Sequence, residues 1–205
     1  MNFNAPSGTG SFASLGTAST LNIVYNANAT RNIVLNKYDF SSNVAISIGG
    51  TGTGNITFAE KSGTSTFNGN ITNNSGNKLW LGGNSGFFVD VKGVISGSGS
   101  VGFASGTGGG AGIVRLYNTN TYTGTTTFNF GTNSAATGGG VTLFANNGIS
   151  SVSELTVGTS ANSGGVLDLN GFNQTLAGLS TGIASATGKI TNSAAGLSTL
   201  TINQT

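Results

Sequence analysis

Short runs of alternating apolar and polar residues recur along the whole chain, and each run stops at a corner rich in Gly or Asn. This rhythm constrains the fold more than any other feature. "TLNIVYN" puts Leu21, Ile23 and Tyr25 on one face, and "NVAISIGG" does the same for Val44, Ile46 and Ile48. "GNITFAE" aligns Ile56 and Phe58, "FFVDVKG" aligns Phe87, Val89 and Val91, and "GGVTLFANNG" aligns Val141 and Leu143. "SELTVGT", "GVLDLNGFN" and "STLTINQT" add Leu155/Val157, Leu167/Leu169 and Leu200/Ile202. A period of two is the signature of a half-buried strand. Good helix formers are rare, and β-branched Thr, Val and Ile are common. The corners "GGTGTGN", "NNSGN", "ANNG" and "LNGFN" supply residues that tolerate positive φ, as sharp turns require.

Hairpin sandwiches and barrels favour two-residue turns between strands of matched length. The connections here are longer and irregular, and inward positions recur loosely every 20–30 residues. That rhythm predicts an all-β chain wound as a parallel β-helix, or β-solenoid, of coils of roughly 20-plus residues. Coils stack ~4.8 Å apart, so roughly nine would form a rod of about 45 Å. Stacking in register places like residues above one another, so Asn and Thr can form hydrogen-bonded ladders while charges would repel. Charged residues are accordingly only 6% of this chain, against roughly a quarter in typical soluble domains.

The stretch "NTNTYTGTTTFNFGT" (118–132) fits this plan, with "NTYTG" as a corner and Thr126, Phe128 and Phe130 on one face of the strand that follows. "VISGSGSVGFAS…IVRLYNTNTYTGTTTFNFGT" (Val94 to Thr132) resembles the autotransporter-associated β-strand repeat, also called the passenger-associated transport repeat. Asn120, Thr121, Tyr122, Thr123, Gly124, Thr126 and Thr127 match its pattern, with Thr125 where that family usually has a second Gly. "GGVLDLNGFNQTLAGLSTG" (Gly164 to Gly182) resembles the segment that commonly follows, so 94–182 is the clearest repeat region. The resemblance implies an exported bacterial passenger segment folded as a right-handed parallel β-helix at the cell surface, with no catalytic residues to carry over. The outer-membrane barrel of that family does not fit in this chain, which is therefore expected to be a fragment or a stand-alone subunit. Residues 1–205 are expected to form one solenoid domain, with 1–30 as an irregular N-terminal segment or an assembly arm.

The residues argue against most chemistry. There is no Cys or His, hence no triad of the usual kinds and no transition-metal site. No cofactor is expected. The carboxylates Asp39, Glu60, Asp90, Glu154 and Asp168 are dispersed, whereas sugar-cleaving sites need them clustered. Asp39 and Glu60 could stack on neighbouring coils beside Lys37 and Lys61. A surface ion-pair ladder is the plainer reading there, with a catalytic or Ca²⁺ site as the alternative. "GTGTGN" and "ASGTGGGAG" lack the Gly-Lys-Ser/Thr and following helix of a phosphate loop. The seven Lys and Arg form no cluster, which excludes a nucleic-acid footprint, and no apolar run is long enough to span a membrane as a helix. The outward Thr array of Thr125, Thr127, Thr199 and Thr201 is too irregular for ice binding.

Three readings attach to Trp80 and Phe88, which the alternation points outward: a loop folded over them, a protein contact, or stacking on a surface glycan. The ends carry a further expectation. Phe3 and Phe12 near the start, and Leu200 and Ile202 near the finish, lie in segments without charges that would cap an open coil. Uncapped coils continue in a longer polypeptide or stack end to end on copies of the chain. The functional expectation is a non-catalytic extracellular scaffold or adhesive rod, with a self-assembling filament subunit as the alternative and a carbohydrate-active enzyme behind both.

Overall fold

Alternation decides the architecture because a strand with one apolar face must lay that face against others. In the computed structural model it does so by winding. The structure describes residues 20–26, 32–38, 41–105, 112–131, 139–159 and 161–204, and the side chains of these except 32–38, 41–42 and 60–62. Three walls of parallel strands enclose one core, and the described residues contain no helix. The first wall holds β1 (Thr20–Val24), β4 (Ala45–Gly49), β7 (Ile71–Asn73) and β10 (Ile95–Ser96). The second holds β2 (Asn32–Tyr38), β5 (Asn55–Ser62), β8 (Lys78–Gly83), β11 (Val101–Ser105), β13 (Thr126–Asn129), β15 (Glu154–Val157) and β18 (Gly178–Thr181). The third holds β3 (Ser41–Ser42), β6 (Thr64–Phe67), β9 (Phe88–Val91), β12 (Ile113–Leu116), β14 (Gly140–Leu143), β16 (Gly164–Asp168) and β19 (Thr187–Thr191). β17 (Gln174–Leu176) and β20 (Leu200–Ile202) pair with each other. The chain visits the walls in cyclic order, which makes it a β-solenoid of about six turns.

Each turn sets like on like. Ile56, Leu79, Val101, Thr126 and Leu155 form one inward column of the second wall, and Phe58, Leu81, Phe103, Phe128 and Val157 form the next. Val89, Val114, Val141 and Leu167 do the same in the third wall. All of these are buried. Phe103, Phe128 and Phe130 meet edge to face, with centroids 5.7 and 5.9 Å apart. The rung length is not fixed. It is 22 residues where Leu79 pairs with Val101 and 29 where Thr126 pairs with Leu155. The walls tolerate this because the variation falls in the corners. Asn147 (φ 51°) in "ANNG", and Asn170 (φ 46°) with Gly171 (φ 85°) in "LNGFN", take the left-handed conformation those corners need.

One local expectation changes. "NTYTG" is not merely a corner: it occupies the first wall's position beyond β10, where no regular strand forms. Thr121 N–H donates to Ile95 O at 2.9 Å and Thr123 N–H donates to Gly97 O at 2.9 Å. Tyr122 is fully buried among the apolar residues.

Candidate functional site

The motif residues point inward. The Asn120 Oδ1 accepts from Ile95 N–H at 2.6 Å, and its Nδ2 donates to Gly148 O at 2.5 Å. One side-chain amide thus replaces a missing stretch of strand between three successive rungs. Gln174 repeats the device, accepting from Ile149 N–H at 3.0 Å and donating to Ile149 O at 2.8 Å. Closer to the start, buried Asn73 and Asn77 bond with Ser75 and reach the backbone of Gly54, Tyr25 and Ser100. Exposed Asn residues stitch another edge, with Asn146 Oδ1 accepting from Asn173 N–H and Asn173 Oδ1 from Thr199 N–H, both at 2.8 Å.

Tyr122 OH lies 2.7 Å from Thr126 Oγ1, which lies 2.8 Å from Ser153 Oγ. That hydroxyl donates to Gly124 O at 2.7 Å. Burial pushes the Tyr122 phenol up to about 12, against smaller opposing contributions from its bonds to Thr126 and Ser150. The neutral phenol is therefore favoured by the folded state. Its contribution is complete below the unfolded value near 10 and is lost as pH rises through about 12. A shift of this size corresponds to about 3 kcal/mol. We expect the urea midpoint to fall between pH 10 and 12, and Tyr122→Phe to remove that part of the fall while costing about 1 kcal/mol at neutral pH. A Tyr122→Phe variant with an unchanged alkaline profile would contradict this assignment.

The carboxylates do not converge. Asp90 holds Arg115 on the adjacent rung, Nε to Oδ1 and Nη2 to Oδ2 at 3.0 Å. Asp168 accepts from Asn170 N–H, Ser193 N–H and Ser193 Oγ, which makes it a corner brace. Glu154 accepts from Ser180 Oγ at 2.9 Å. Backbone register sets Glu60 opposite Lys37; the side chains of both, and all of Asp39, lie outside the described residues. Among the described residues no three His, Cys, Asp or Glu gather into a metal-binding group, and no helix is long and apolar enough to cross a membrane.

Aromatic side chains mark the outer walls. Trp80 is half-buried and lies against Gly102 on the next rung, where a Cβ would stand 2.3 Å from the indole. Its Nε1–H donates to Asn55 Oδ1 at 3.0 Å. The Lys78 ammonium sits 5.3 Å from the ring centre and donates to Thr127 Oγ1 at 3.0 Å. Phe88, also half-buried, lies beneath the Arg115 guanidinium at 4.2 Å. A further pair went unread in the sequence: Tyr117 stacks on Phe144 at 4.5 Å, with Lys92 5.7 Å from the Tyr117 ring. Only the rung length brings these two rings together, so no local pattern announces them. Burial and the Asp90 charge raise the Tyr117 phenol, partly offset by Arg115.

At the last described rungs the core opens. Inward Phe128 is followed by Val157, and Gly165 by Gly188, which leaves a chamber of about 470 Å³ between the second and third walls. Leu200 is half-buried against the core, while Ile202 is 41% exposed and Leu197 fully exposed. Phe3 and Phe12 lie outside the described residues. Fold and surface together define a three-walled parallel β-solenoid whose corners are tied by buried amides. No known protein family, curated protein or solved structure matches the chain.

Proposed function

We propose that this chain is a non-catalytic rod, a structural or adhesive scaffold of a bacterial surface protein built like an autotransporter passenger. The observation that carries the reading is the use made of its most distinctive residues. Asn120, Tyr122, Thr126 and Gln174 all spend their polar groups on joining rungs inside the wall, where no substrate could reach them. The described carboxylates are likewise engaged in bracing. The reading takes a right-handed winding of roughly nine coils for the whole sequence, and the hand of about 98% of parallel crossovers supports that handedness. Extracellular placement follows from the resemblance of Val94–Thr132 and Gly164–Gly182 to passenger repeats.

A second reading, a filament joined end to end through copies of the chain, is favoured by the apolar side chains exposed on the last described rung. Ile190, which lines the open chamber, is exposed there, as are Leu197 and Ile202. Such a surface suits a following rung, from the same polypeptide or from a copy. Electron microscopy of the purified 205-residue chain over a dilution series separates the two. Dispersed short rods are the expected result for a scaffold module. Filaments that survive dilution would replace that reading with the second, and turnover of a polysaccharide abolished by Asp90→Asn or Asp168→Asn would overturn both.

A further inference from the structure

We propose that the outer surface of the second wall at Trp80 binds an acidic sugar, a hexuronate unit of a polysaccharide. The sugar ring would stack on the indole and its carboxylate would pair with Lys78. This goes beyond the scaffold reading and gives the rod a ligand.

Among the described residues three outward rings lie beside cations, and they differ in what is left free. Phe88 is covered by Arg115, and that guanidinium is already held by both oxygens of Asp90. Tyr117 has Phe144 stacked on it and Lys92 beside it. Trp80 differs on both counts. Gly102 beneath it has no side chain, so the indole lies down on the wall. Asn55 fixes its orientation through the ring N–H. Lys78 meets only the ring and a neutral hydroxyl, and faces no carboxylate among the described side chains.

A half-buried lysine without a counter-ion is a vacancy for an anion. Desolvation lowers its pKa, and an arriving carboxylate would raise it again. The half-buried indole, with the Lys78 ammonium 5.3 Å from its centre, would offer the rest of its outer face to the carbon-bound hydrogens of a pyranose. A pyranose bearing a carboxylate satisfies both features at once. A single-stranded nucleic acid would also stack, but it needs a basic track along its backbone, and Lys78 is the cation at this ring.

Trp80 is the sole tryptophan, so fluorescence excited at wavelengths where the four Tyr do not absorb reports on this surface. The experiment titrates the full chain at low salt with trigalacturonate, with neutral galactotriose, and with oligothymidylate. The expected result is a saturable spectral change with trigalacturonate, and binding about tenfold weaker for the neutral sugar. Lys78→Gln should remove the preference for the acid while leaving the circular dichroism and melting temperature unchanged. Calorimetry on Trp80→Leu should show no binding. No spectral change at millimolar trigalacturonate, equal affinity for the two sugars, an unaffected Lys78→Gln variant, or oligothymidylate binding as tightly as the uronate would each overturn the proposal.

Discussion

Asn120→Ala should lower the stability of the chain by about 2–5 kcal/mol, a large effect for the loss of one polar side chain. Asn120 is buried, and the groups it serves belong to the backbone of two other rungs. Removing the amide leaves Ile95 N–H without its acceptor and Gly148 C=O without its donor. Each buried orphan costs about 1–3 kcal/mol. Alanine offers nothing in return, since the wall there has no strand to slide into place. Asn120→Asp sharpens the test. A carboxylate still accepts from Ile95 N–H but repels the Gly148 carbonyl and is buried as a charge. Once protonated it can donate again. The Asp variant should therefore be nearly as unstable as the Ala variant at neutral pH and recover part of the loss in acid, where the Ala variant should not. Urea titration at pH 7 and pH 4 of both variants against the parent checks this. Equal responses of the two variants to acid would show that Asn120 does not bridge the rungs as described.

The same residue shows why part of this fold was legible in sequence and part was not. Strand faces were readable because a local period of two fixes them. Ile46/Ile48, Ile56/Phe58, Val89/Val91, Val141/Leu143 and Leu167/Leu169 all face the core as the alternation requires. Trp80 lies outward between buried Leu79 and Leu81 for the same reason. Parallel winding was readable from connection lengths and from the scarcity of charge. The inward role of "NTYTG" was not, because Asn120 and Tyr122 are polar, and polarity alone points to the surface. Their burial depends on partners about 25–28 residues away, at Ile95 and Gly148, and on a wall with no strand to fill it. The Tyr117–Phe144 stack was hidden for a related reason. Rung length here varies from 22 to 29 residues, so the partner of a given residue cannot be counted off along the chain.

Phe128→Ala should cost about 3–5 kcal/mol, and the damage should be confined to one side of the lesion. Phe128 is fully packed between Phe103 on the rung before and Val157 on the rung after, and it meets the Phe130 ring edge to face. Its removal withdraws two aromatic contacts and leaves a void that neighbouring backbones cannot close, because each is held by ladder bonds on both sides. The void also adjoins the chamber lined by Phe128, Leu155, Val157 and Leu167, so two weak points would merge into one. In a solenoid each rung contacts only its neighbours, so stability is nearly a sum of local terms and opening can spread from one end. The rungs beyond Phe128 already have the thinner core, with Val157, Gly165 and Gly188 at inward positions. Hydrogen exchange should therefore lose protection from β13 through β19, while β4 to β9 keep most of theirs. The opposite result, uniform loss along the whole chain, would mean that the solenoid unfolds as one cooperative unit. The aromatic stack would then matter for global stability and not for joining one set of rungs to the next.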